Sequence, residues 1–99
     1  MTVKEYLENT FTGYEYTVRD KIVCVDGFSV SVQGGTRGHY CMPRKLCNIY
    51  TKVELGFPSS VERSILEYAE NEDCPTETVY AFVPIEVVEK LIASHGGIK

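Results

Sequence analysis

The sequence predicts a single α+β domain over residues 1–99: a mainly antiparallel sheet of about four or five strands, with two or three helices packed on it. Three observations predict it. Alternating apolar runs mark strands around Ile22–Val32, Tyr50–Phe57 and Val79–Val83. Apolar residues at helical spacing mark helices near the start, the middle and the end of the chain. An Asp26-Gly27 pair between two alternating runs reads as the tip of a hairpin, which makes neighbouring strands antiparallel.

Taken in order, Thr2 is the N-cap of a first helix over residues 3–9, with Val3, Tyr6 and Leu7 on one face. Tyr14 to Val18 reads as an edge strand after Gly13. The Asp26-Gly27 turn pairs Val25 with Phe28 and Val23 with Val30. That register puts Val23, Val25, Phe28, Val30 and Val32 on one face, and Ile22, Cys24, Ser29 and Ser31 on the other. Tyr50–Phe57 is a strand that Pro58 ends. Ser59 and Glu62 form a capping box for a second helix to about Glu70, whose stripe is Val61, Ile65, Leu66 and Ala69. Val79–Val83 is a strand rich in β-formers. Pro84 suits the first position of a last helix with Ile85, Val88, Leu91 and Ile92 inward, and His95-Gly96-Gly97 supplies a left-handed cap. The expected order is α-β-β-β-β-α-β-α.

Composition sets bounds. The chain is 43% hydrophobic and 24% charged, as in ordinary globular domains, and no apolar run approaches the roughly 20 residues of a membrane span. Met1–Tyr6 has no apolar signal core, so a cytoplasmic address is expected. Residues 1–52 carry seven Lys or Arg against five acids, and residues 53–99 three against nine. Such a dipolar chain lacks the continuous basic face that duplex nucleic acid requires.

The polar centre is Ser31–Lys45. Gly34, Gly35, Gly38 and Pro43 argue for a loop, and from Gly27 to Val53 there are four cations and no acid. Arg offers a planar fork for phosphate or carboxylate, tyrosine stacks a base, and glycine lets backbone amides approach an anion. The candidate ligand-binding residues are therefore Arg37, His39, Tyr40, Arg44, Lys45 and Tyr50, for a small anionic or nucleotide ligand. Opposite in charge is Glu67, Glu70, Glu72 and Asp73, with Glu77 beyond. That stretch is the candidate partner-binding surface if the chain occupies the basic channel of a nucleic-acid-binding effector protein. Self-association into a homo-oligomer stays open.

Catalytic and metal readings are weaker. Cys41 with His39 could make a small thiol enzyme, but no third orienting group is evident. His39, Cys41, Cys47 and Cys74 suit zinc chemically but lack Cys-x-x-Cys spacing, so neither metal nor cofactor is expected. In a cytosolic chain the four cysteines read as free thiols. His95 reads as a cation complementing the end of the last helix.

The strings Asp26-Gly27-Phe28-Ser29-Val30-Ser31-Val32-Gln33, His39-Tyr40-Cys41-x-Pro43-Arg44, Val53-Glu54-x-Gly56-Phe57-Pro58-Ser59, Tyr68-Ala69-Glu70, Thr78-Val79-Tyr80-x-x-Val83-Pro84 and His95-Gly96-Gly97-Ile98 stand out together. Taken together they resemble a small family of uncharacterised proteins from phages and mobile elements of Gram-positive gut bacteria. The resemblance implies an accessory protein of a phage or integrated element. Proteins in that setting often inhibit host defence, by sequestering a nucleotide signal or by blocking an effector such as a CRISPR nuclease.

Overall fold

The computed structural model describes residues 1–12, 18–34, 42–43 and 50–99. The long strand β4 (Tyr50–Gly56) is the hub of an antiparallel sheet. β2 (Ser29–Gln33) and the two-residue β3 (Met42–Pro43) take successive parts of one edge of β4, and β5 (Val79–Pro84) takes the other. β1 (Ile22–Val23) lies outside β2. Helices α1 (Val3–Asn9) and α2 (Ile85–Ser94) and a 3-10 helix (Arg63–Tyr68) complete the α+β domain. Val30, Val32, Val53, Leu55, Tyr80 and Val83 of the sheet meet Val3, Leu7, Ile65, Val88, Leu91 and Ile92 of the helices in one core. Among the described residues, no helix is long and apolar enough to cross a membrane.

α1 forms where expected. Thr2 accepts from the Glu5 amide at 3.0 Å while the Glu5 carboxylate accepts from the Thr2 amide at 3.0 Å. Two of the helix's unpaired N–H groups are so satisfied. A third, at Val3, donates to the Glu89 carboxylate at 2.6 Å, so α2 helps to cap α1. The expected strand at Tyr14–Val18 lies outside the described residues except for Val18, which is exposed and in no strand.

The hairpin is present with its register shifted by one residue. Ile22 pairs with Val30 and Val23 with Ser29, so Val25-Asp26-Gly27 is a three-residue loop in place of a two-residue tip. The Gly27 amide donates to the Cys24 carbonyl at 2.9 Å, and the Cys24 amide to the Phe28 carbonyl at 2.7 Å. Gly27 takes φ +93°, and the Asp26 carboxylate receives the Phe28 amide at 2.9 Å. A type I turn followed by a left-handed glycine is the usual three-residue solution. Because strand periodicity is two, the slip exchanges the faces of β1. Ile22 and Cys24 enter the core, while Val23 and Val25 are 44% and 62% exposed.

Three further expectations change. Met42–Pro43, read as loop, pairs with β4 as β3, in keeping with proline's tolerance at sheet edges. The capping box at Ser59 does not form: Ser59 Oγ accepts the Ser29 amide at 3.0 Å, and the helix that follows is 3-10 with Val61 exposed. Pro84 ends β5 and caps α2, one position before the first helical residue. Phe57 and Phe82 sit at φ +51° and +50°, a conformation costing about 1–3 kcal/mol for a bulky residue. Phe82 does so where the β4–β5 register shifts. The α2 stripe is as expected, with Ile85 only partly buried.

Candidate functional site

Arg37, His39, Tyr40, Arg44 and Lys45 lie outside the described residues, as do Cys41 and Cys47, and so does the side chain of Tyr50. The root of their loop is described. Its last residue, Gly34, gives its carbonyl to Arg19 Nη1 at 2.6 Å. Arg19 is 5% exposed. Its Nε donates to Thr10 Oγ1 at 2.7 Å and its Nη2 to the Leu7 carbonyl at 2.9 Å. Leu7 and Thr10 belong to the C-terminal end of α1, where the carbonyls have no helical partner and a cation is favoured. Those carbonyls and the helix dipole account for a buried guanidinium that has no carboxylate partner among the described residues.

The backbone around Arg19 is equally fixed. Its amide donates to Gln33 Oε1 at 2.8 Å, and Gln33 Nε2 donates back to its carbonyl at 2.7 Å. Tyr6 Oη donates to the Asp20 carbonyl at 2.6 Å, and burial pushes the Tyr6 phenol above its usual range. Tyr6, Thr10, Arg19 and Asp20 line part of a cleft of about 650 Å³. Lys21, Val23, Ile98 and Lys99 supply the rest of the lining that matters chemically. The volume is in the range of small-molecule sites, and three cations against Asp20 give it a positive balance.

No protein-family model, curated protein or solved structure matches this chain.

His95 forms a second constellation, about which the sequence indicated only a helix-end cation. It follows α2, and its ring stacks on Phe28 with centroids 4.0 Å apart and planes at 10°. Nδ1 meets Asp26 Oδ2 at 2.6 Å, and Nε2 meets Glu62 Oε1. Carboxylates only accept, so an imidazolium serves both contacts and a neutral ring serves one. The Asp26 contact, seconded by Glu62, holds the His95 pKa above its usual value. The Phe28 amide, then His95, hold Asp26 below the usual carboxylate range. Nothing local in the sequence signals this trio, because its members are 33 and 69 residues apart.

The acidic candidates Glu67, Glu70, Glu72 and Asp73 are exposed, as is Glu77. From Glu70 on they occupy a loop held by its own bonds: Glu70 N–H to the Val79 carbonyl, Glu77 N–H to the Cys74 carbonyl, and Tyr80 Oη to the Pro75 carbonyl. Of the proposed zinc set only Cys74 is described, and it is exposed. Among the described residues no group of three His, Cys, Asp or Glu is arranged for a metal. Cys24 is buried, which raises its thiol pKa and makes it a poor nucleophile.

Proposed function

We propose that the chain is a non-enzymatic accessory protein of phage or mobile-element origin, which counters defence in the host cytoplasm by sequestering a small anionic ligand of the nucleotide class. The observation that carries this reading is the cleft at Arg19. A buried guanidinium held by neutral oxygens stands beside Lys21 and Lys99, at the foot of the loop bearing Arg37, His39, Tyr40, Arg44 and Lys45. Phosphate groups would meet the cations of the cleft.

A nucleotide panel in thermal-shift assays tests it. At a hundredfold excess over Kd, a bound nucleotide stabilises the fold by about 2.7 kcal/mol, a shift of many degrees in a domain of this size. Arg44→Ala and Arg44→Lys should each weaken binding about ten- to hundredfold, since a point charge cannot replace the fork. Replacing Lys21 and Lys99 together by glutamine should do the same without loss of stability. If no nucleotide stabilises the parent, the reading is wrong.

The second reading is an inhibitor that occludes a host immune effector, and the bonded, exposed acidic loop favours it. Exposed carboxylates on a loop whose backbone is held resemble a phosphate run to a basic channel. Converting Glu70, Glu72 and Asp73 to lysine should abolish inhibition of a CRISPR nuclease while leaving the melting temperature unchanged. Inhibition at parental strength would remove this reading.

A further inference from the structure

The last residues of the chain form the far wall of the Arg19 cleft, and His95 stands where they leave α2. The helix ends in a Schellman arrangement: Gly96 N–H donates to the Ala93 carbonyl at 3.1 Å and Gly97 N–H to the Ile92 carbonyl at 3.0 Å. Gly96 sits at φ +88°, and a Cβ there would come within 3.0 Å of Val25 Cβ, so the chain reverses tightly against the hairpin loop. It then runs back past the end of β1, joined to it by backbone bonds. Val25 N–H donates to the Gly97 carbonyl at 3.0 Å, Asp26 N–H to the His95 carbonyl at 3.3 Å, and Lys99 N–H to the Val23 carbonyl at 2.9 Å. Cys24 and Ile98 form the bridge between them. Ile98 and Lys99 both line the cleft.

We propose that the Asp26–His95–Glu62 clamp is a latch that keeps this tail docked on β1 and thereby keeps the Ile98–Lys99 side of the cleft in place, so that protonation regulates ligand binding in the cleft. The ligand part of the proposal rests on the anion-binding reading above; the latch itself does not.

The groups facing the ring come from three elements. Asp26 belongs to the hairpin loop, Glu62 precedes the 3-10 helix, and Phe28, which carries no charge, immediately precedes β2. Arg63 adjoins Glu62 in sequence, and Lys90 of α2 lines a neighbouring hollow with it. With the ring charged, both arms are charge-assisted bonds. When the ring loses its proton, one arm loses its donor. The Asp26 carboxylate is fixed by the Phe28 amide, so the neutral ring keeps Nδ1–H on Asp26 and releases Glu62. The remaining arm also loses its charge assistance. Because the pKa of His95 is raised on folding, the latch is complete below the unfolded value of about 6.5 and loosens as pH rises through the higher folded value.

Amide exchange followed by NMR on the full chain tests the latch. Protection factors, corrected for base-catalysed intrinsic exchange, are compared at about pH 5.5, below the unfolded value, and at about pH 8.5, well above it. The Val25 and Lys99 amides should lose protection about tenfold or more at the higher pH, while those of Val30 and Leu55 stay constant. In Glu62→Gln the step should shrink and move to lower pH, because one anion facing the ring has gone. Tail amides whose protection is the same at both pH values, or changes only together with the core, would overturn the latch. Cyclic AMP is the ligand probe, since its phosphodiester charge is constant over this range, and it should bind more weakly at the higher pH. Equal binding at both pH values would overturn the link between latch and cleft. Binding at neither would count against the anion reading, with the latch judged on exchange alone.

Discussion

Replacing Arg19 by methionine is expected to destabilise the domain by about 3–5 kcal/mol, out of a total of about 5–15 kcal/mol for a chain of this length. Methionine fills much of the same space but offers no N–H. The Leu7 and Gly34 carbonyls would lose their partner in a buried place, and Thr10 Oγ1 in a part-buried one. Bonds from a charged donor are worth about 1.5–3 kcal/mol each, and a buried carbonyl left unpaired costs about 1–3 kcal/mol. Arg19→Lys should also be costly, because one ammonium cannot reach three acceptors that diverge from a planar fork. Urea unfolding monitored by circular dichroism gives the measurement. A loss below about 1 kcal/mol would mean that the guanidinium merely fills space.

Tyr80→Ala should cost a similar amount, about 3–5 kcal/mol, for a different reason. Tyr80 heads the fully buried side chains by volume, and it pairs with Leu55 across the sheet while bridging to Ala69. Its removal leaves a cavity that strands on both sides cannot close. The conservative change separates core from loop. Tyr80→Phe keeps the ring and loses the bond to the Pro75 carbonyl, so it should cost about 0.5–1.5 kcal/mol. The Cys74 and Glu77 amides should then exchange faster, with the β4 amides unchanged. If Tyr80→Phe also weakens effector inhibition, rigidity of the acidic loop is part of that activity; if loop exchange is unaltered, the hydroxyl does not order it.

The class of fold and the places of the helices and longer strands were legible in the sequence because their signals are local. Thr2 with Val3 and Leu7, the alternation of Val53 and Leu55, and Ile85 to Gly97 each carry period and cap within about a dozen residues. The register of the hairpin was not legible. Asp26-Gly27 suits a two-residue or a three-residue turn, and the choice falls to which residues of this arm the core accepts: Ile22 and Cys24 are buried in it, and Val25 is exposed against Gly96 of the returning tail. Ser59 likewise satisfies a capping rule locally, yet bonds to β2 because that strand lies beside it.

The sites divide in the same way. The charge of the 34–45 stretch and of Glu67–Glu77 is a property of composition, and the sequence alone determined it. Arg19 has no local mark among Val18, Asp20 and Lys21; only the meeting of the end of α1 with the end of β2 gives it buried oxygens to bind. His95, Asp26 and Glu62 are three ordinary polar residues along the chain. Tertiary structure alone decided that they share one imidazole, because the bonds that join them form only after the hairpin, the 3-10 segment and α2 have packed around Phe28.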